Sequence, residues 1–595
     1  MTSPDRRGSF VAGWHARLAF ALVAVGACVG SERASLAPIP SFGDAGVSDA
    51  GDDPCALVRC SLDARAVVND CTEEVVEACP PDLACGGGEC VEPCVAAERE
   101  RGSRGCDFFF QPPPAYAAQG LTGCYAAFLV NTSTVPSTIR LEYQGSDLDL
   151  AGAVFTTPKG GATLIPHDGP IGPGEAVIVF VADPPYDGAR EHVGCPEDVR
   201  PATLENPDTI VRGTSSSFHL VTSAPVSAST IFPFGGAASF IPTATLLLPT
   251  ATWGTEHMII NPWAMGFVLR YTRFGPFPAT QIVAKEDDTV VDIFPSAGIQ
   301  DDGFFVGSPK GVRASYRLDR GQYLQIAQSD ELTGSVVTSS KPTSVFGAHS
   351  CMFIPEDVSA CDTAQQQIPS FAQWGSEYAA VGYLPRNDDR ESSPYRIVAA
   401  VDGTLLTYDP APPPGAPAAL DVGEVATVWT RDPFVVRSQD REHPIYVGAY
   451  MTGARALSTG GEVGDPEFVN VIPAAQYLND YAFFSDPTYP DTSLVVVREK
   501  TARGFEDVNL ECAQGPVPDF VSLGTEGRFE YARIVLAKDF VPQRVGSGTC
   551  GYGIQRMQSR GPFTATLWGT APFASYALPG GMAQRELVQR PLVVR

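Results

Sequence analysis

The chain reads as all-β: about four tandem β-rich repeats after a small disulfide-rich module. Three observations predict this class. From residue 107 onward, short runs rich in Val, Ile, Thr, Phe and Tyr alternate with Gly, Pro and Asp turns, and no helical period is sustained. Turn and strand-entry motifs recur in the same order, at intervals of roughly 100–120 residues. Of the fifteen Cys, all but Cys28 fall into even groups along the chain. That is the arithmetic of disulfides in an oxidising compartment.

Residues 1–27 read as a targeting segment. A basic opening, MTSPDRRGSFVAGWHAR, precedes the apolar run LAFALVAVGA, which is too short to span a bilayer as a helix and has the make-up of a secretory signal. Val25-Gly26-Ala27-Cys28 resembles the lipobox of bacterial lipoproteins, in which the Cys is acylated and becomes the first residue. This predicts lipidation of Cys28 and a lipid-anchored place in the bacterial cell envelope, at the outer membrane or cell surface. The competing reading is an ordinary secretory signal that happens to carry a Cys. Residues 28–54, rich in Ser, Ala, Gly, Pro and Asp, read as a flexible tether. No later stretch is apolar enough to cross a membrane as a helix. The formal charge of -27 opposes long-range attraction to nucleic acid and excludes it as a partner class.

Residues 55–106 form the Cys-rich module. Its eight Cys and few large apolar residues cannot build an ordinary core, so cross-links must hold it. Zinc would call for paired Cys-x2-Cys knuckles, and none is present. Disulfides are therefore predicted, with the connectivity left open.

Residues 107–595 form the repeated region. IVAKEDDTVVDI (282–293) aligns with IVAAVDGTLLTY (397–408), and LDRGQ (318–322) with LDVGE (420–424). In the first pair, Asp287 or Asp402 is expected to accept turn amides, Gly403 to allow positive φ, and Thr289 or Thr404 to restart a strand. The motif S-x-x-P places Pro225, Pro342 and Pro444 at expected strand entries, where no ladder amide is needed. LLLPTATWGTEH aligns with QQIPSFAQWGSEY and, more weakly, with VIPAAQYLNDY. In it, Trp253 and Trp374 are expected to cap a core, and Gly254 and Gly375 to bend the chain. Each repeat is either a small β-sandwich packed in an array, the preferred arrangement, or part of a propeller-like ring.

The densest chemistry lies in HSCMFIPEDVSAC (349–361). His349, Cys351, Cys361 and the adjacent Asp362 make a metal set on paper. Equivalent segments of the other repeats, FPFGGAASFIPTA and MTGARALSTGGEVGDPEF, vary in length and lack Cys. The segment therefore reads as a variable loop stapled by Cys351–Cys361, with Cys512–Cys550 as a second late disulfide. Neither a metal nor a cofactor is predicted there. Ca2+ has candidate sites only at oxygen-rich loops such as RNDDRE (386–391) and SDLDLAG (146–152), whose spacing matches no EF-hand. No catalytic residue is assigned. The seven His sit in strands, turns or the signal, and no G-x-S-x-G, H-E-x-x-H or P-loop occurs.

With these residues in view, the chain resembles the IgGFc-binding-protein N-terminal domain family, in the form seen on surface lipoproteins of myxobacterial type. The resemblance runs over roughly 105–580. It is carried by GCDFFF, CYAAFLVNTS, SAPVSASTIFPFGG, ATLLLPTATWG, GSVVTSSKPTSVFG, CDTAQQQIPSFAQWGSEY, VAAVDGTLLTYDPAP and FVVRSQDREHPIYVGAYMTG. It implies an extracellular β-rich binding or structural module without enzyme activity. The expected role is adhesion or binding of an extracellular protein or glycan, through loops such as 231–245, 349–365 and 452–468. The alternatives are a secreted carbohydrate-acting hydrolase, which needs two carboxylates flanking a cleft, and a purely structural envelope protein.

Overall fold

Four long antiparallel hairpins organise the chain. Strand β1 (Phe218–Phe232) pairs with β2 (Thr243–Leu246), and β3 (Val336–Met352) with β4 (Asp362–Ile368). Likewise β5 (Ile445–Met451) pairs with β6 (Glu467–Asn470), and β7 (Gly553–Ala571) with β8 (Ala574–Pro579). The computed structural model describes residues 57–593, apart from 115–121, 187, 189–191, 208–211, 240, 267–276, 302, 304, 387–390 and 458–461. The signal, the tether and Cys28 lie outside the described residues.

Burial along β3 explains the hairpins. Residues 338–342 are partly exposed, and every residue from Thr343 to Met352 is buried. The long strands thus start in a half-solvated outer sheet and finish in the interior, where continuous apolar runs are stable. The bends fall at proline. Pro225, Pro342 and Pro562 lie inside β1, β3 and β7 at register shifts, and only Pro444 directly precedes its strand. This corrects the strand-entry expectation for Pro225 and Pro342. A bulge frees one amide from the ladder, so proline fits and the strand runs on.

The inner strands β2, β4, β6 and β8 adjoin in a closed cycle. Thr245 Oγ1 donates to the Gln365 carbonyl (2.7 Å), and Asn470 Nδ2 to the Gln367 carbonyl (2.9 Å). Gln366 Nε2 reaches both Ala244 O and Ala577 O, tying β4 to β2 and β8. Four of the cores among the described residues obey the same cycle, because each lies between neighbouring repeats, while a fifth, from Ile259 to Val345, fills the second repeat. Phe128 and Phe180 of the first repeat pack with Phe484 and Val496 of the fourth. Val177 packs with Val283 and Phe346 of the second, Met258 with Tyr446 of the third, and Val447 with Val495 of the fourth. The repeats are all-β, and of the two arrangements they take the ring.

At one end of the ring the inter-repeat linkers lock together. Gln373 Nε2 donates to Thr252 O, Gln476 Nε2 to Gln373 O, and Ala583 N to Gln476 O. Ser103 N then donates to Met582 O (2.9 Å), joining the start of the first repeat to the end of the last. The Cys-rich module is braced by Cys60–Cys85, Cys79–Cys90 and Cys94–Cys106, and Cys71 is disulfide-bonded as well. Cys106 lies on strand Arg104–Phe110, which pairs with β1, so the module is bolted to the first repeat. Among the described residues, no helix is long and apolar enough to cross a membrane.

Candidate binding face

All four hairpins point the same way around the ring, so the described residues of their tips, 233–239, 241–242, 353–361, 452–457, 462–466 and 572–573, gather at the end opposite the linkers. They touch. Gly453 N donates to Ile354 O (2.8 Å), Phe573 N to Glu462 O (2.6 Å) and Arg455 Nη1 to Ser359 Oγ (2.9 Å). The Arg455 guanidinium lies over the Phe573 ring, 5.5 Å from its centroid. The short turn Gly236–Ala238 brings the first tip against β8. Asp357, Ser359, Arg455, Glu462 and Val463 are exposed on this face. The described residues of the loops 231–245, 349–365 and 452–468 therefore lie together, and the short turn Pro572–Phe573 joins them.

Beneath the tips lies a buried layer of acids. Asp362 opens β4, Glu467 opens β6, and Asp465 lies two residues before it; all three are at most 1 % exposed. Asp362 Oδ2 accepts from Ser575 N, and Asp465 Oδ1 from Ala454 N (2.9 Å). Glu467 Oε1 accepts from Phe468 N and Thr243 Oγ1. Asp362 Oδ1 and Glu467 Oε2 are buried without a hydrogen-bond partner. Burial, then the neighbouring Asp465 and Glu467, pushes the Asp362 carboxyl far above the usual carboxylate range. Burial does the same to Glu467 and takes Asp465 to about 7. Beside the layer, Arg386 and Glu391 form an ion pair with both side chains 4 % exposed. Arg386 also donates to Thr452 O and Val463 O, which anchors the third tip.

The residues of 349–362 are spoken for separately. Cys351 and Cys361 form a disulfide. His349 Nδ1 accepts from Cys351 N, and burial lowers its pKa to about 3. Among the described residues, no group of three or more His, Cys, Asp or Glu is disposed to hold a metal ion. Replacing Cys351 and Cys361 by Ser is expected to lower stability by about 2.5–3 kcal/mol, the entropy of so short a closed loop, read as a shift in urea midpoint at unchanged slope. Within SDLDLAG, Asp147 pairs with Arg140 and Asp149 with Arg200. Asp388 and Asp389 of RNDDRE lie outside the described residues.

The turn motifs lie away from this face, and their pairing is reciprocal. Asp287 Oδ1 accepts from Arg320 N while Asp288 N donates to Asp319. In the third repeat, Asp402 Oδ1 accepts from Val422 N while Gly403 N donates to Asp421. The aspartates thus accept turn amides, and those amides belong to the partner L-D-x-G turn: the two turns lie side by side and exchange acceptors. Gly403 has φ +63°, and Asp288 takes the same conformation. Thr289 and Thr404 start strands and donate to Glu286 O and Val401 O. Trp253 and Trp374 are buried, and each donates Nε1 to a carbonyl five residues back, Leu248 O or Pro369 O. Gly254 starts a strand, and Gly375 packs against Pro473. Cys512 pairs with Cys550.

Sequence reasoning missed Asp465, Glu467, Ser575 and the Arg386–Glu391 pair. The available signal was positional: Thr243, Asp362 and Glu467 each open an inner strand, and Ser575 is the second residue of the fourth.

A family model described as IgGFc binding protein matches residues 243–569, from the first residue of β2 to two residues short of the end of β7. The chain is also similar to the IgGFc-binding protein of Homo sapiens, 26% identical over 267 residues. That alignment covers 44% of this chain and 4% of the human protein, so the chain spans a small fraction of that relative's length.

Proposed function

This chain belongs to the IgGFc binding protein family, and on that premise we propose that it is a non-catalytic module that binds an extracellular protein through the gathered hairpin tips. The supporting observation is the convergence of all four tips on one end of a ring braced by disulfides and by the linker lock. Rigid scaffolds that present variable loops on one face are suited to recognition. The tips combine a cation stacked on an aromatic ring, two acids and an exposed Val463, and centrally placed aromatic and apolar groups carry most interface energy.

The full chain should be tested against immobilised Fc fragment, intact mucin glycoprotein and its deglycosylated form. Binding to any of these should weaken about tenfold, a loss of about 1.4 kcal/mol, in the double variant Val463→Glu, Phe573→Ala. Equal binding by wild type and variant would place recognition elsewhere. No binding to any probe would favour a structural envelope role. Sugar release from a polysaccharide panel that disappears with one substitution would overturn the non-catalytic reading.

We infer further that Cys28 is acylated and tethers the chain to the bacterial cell envelope. The Cys28→Ser variant should leave the membrane fraction. Persistence there, with no acyl label in either form, would refute the anchor.

A further inference from the structure

We propose that the layer of Asp362, Asp465 and Glu467 is a proton-operated latch: the tips are held closed while the layer carries protons and loosen as it loses them. The inference rests on the binding face described above, and its readout is independent of any partner.

Three carboxyl side chains, from Asp362 and Glu467 at the starts of neighbouring strands and from Asp465 beside the second, are fully buried, the charges of Asp465 and Glu467 act on Asp362, and two of the oxygens lack a hydrogen-bond partner. Such a set cannot all be ionised together, because each charge loses its hydration and repels the others. The surrounding charges relieve it only in part: burial of Asp465 outweighs the lowering effect of Arg386 and Arg455. Arg386 is already neutralised by Glu391, and Arg455 is exposed and stacked on Phe573. Tyr489 and Tyr576, which also face the layer, are neutral well beyond the relevant range because burial raises their hydroxyls. His349, on the strand paired to β4, stays neutral as well. Asp486 is the other nearby acid; burial raises it to about 6.

The layer holds the tips directly. Asp465 accepts from Ala454 N in the third tip, Gly453 of that tip donates to Ile354 of the second, and Ser575 bridges Asp465 and Asp362 just inside the fourth. Ionisation draws water toward the layer, and the tips are the elements between it and solvent. These carboxyls bind protons more tightly folded than unfolded. Their stabilisation is therefore complete below the ordinary carboxylate range, near pH 4, and is lost as the pH rises through the folded values, about 7 for Asp465.

Hydrogen exchange of the full chain at pH 5 and pH 8, corrected for intrinsic exchange, tests this. Peptides covering 353–365 and 452–470 should lose protection about tenfold at pH 8, the change one linked proton produces per pH unit. Peptide 278–284 of the second repeat should not change, and peptides from 486–492 report Asp486 separately. The variants Glu467→Gln and Asp465→Asn, made singly, should each flatten the pH response. Equal protection at both pH values in wild type overturns the latch, and so does a wild-type response in both variants. Restoration of protection at pH 8 by CaCl2 also overturns it, because a cation would then be the occupant.

Discussion

Replacing Glu391 by Ala is expected to destabilise the protein by about 3–5 kcal/mol, the usual loss when one member of a buried ion pair is left alone. The pair is almost fully enclosed, with both side chains 4 % exposed. Arg386 bonds Glu391 through Nε and Nη2, and Tyr383 donates its hydroxyl to the same carboxylate. Burial alone would raise the Glu391 carboxyl, but the charge and hydrogen bonds of Arg386 overcome it and hold the group below its ordinary value. Its contribution is thus present at neutral pH and fades as the pH falls through that lowered value, opposite in sign to the carboxyl layer. The double variant Arg386→Met, Glu391→Leu should recover most of the loss, because it removes both charges and keeps volume. Urea midpoints of the three proteins decide the matter: a single variant within about 1 kcal/mol of wild type would mean that water reaches the site.

The second large effect is expected at the tryptophan turn. Trp374→Ala should cost about 3–5 kcal/mol, the range for emptying a large aromatic site. Trp374 is 2 % exposed and packs edge-on against Phe371 and at a tilt to Tyr446 of the next repeat. Its Nε1 donates to Pro369 O, fixing the bend between β4 and the strand Glu377–Ala380. Trp374→Phe keeps most of the area and loses that hydrogen bond, so its cost should be smaller, near 1–2 kcal/mol. If the Phe variant is as unstable as the Ala variant, the hydrogen bond rather than the packing carries the turn.

Much of the fold was legible because it is written in local rules. Asp287-Asp288-Thr289 and Asp402-Gly403-Thr404 recur with L-D-x-G since a left-handed residue and an acceptor carboxylate are needed where these two turns meet. Trp253 and Trp374 recur since in these two linkers one large side chain fills the bend and donates to a carbonyl five residues earlier. The Cys count disclosed a disulfide framework. Pro225 and Pro342 were misplaced because a bulge inside a long strand and a strand start look the same one residue at a time. The Asp465–Glu467 stretch passed for an ordinary loop, since nothing in Gly-Asp-Pro-Glu marks its acids as buried.

By itself the sequence determined the all-β class, the repeats, the even cysteines and the loops that vary, because period, turn chemistry and thiol number are properties of short stretches. Tertiary structure decided that the repeats close into a ring, that the variable tips meet, and that three acids end up buried. Those outcomes depend on contacts between residues some hundred positions apart, where the environment of a carboxyl is set by its neighbours in space.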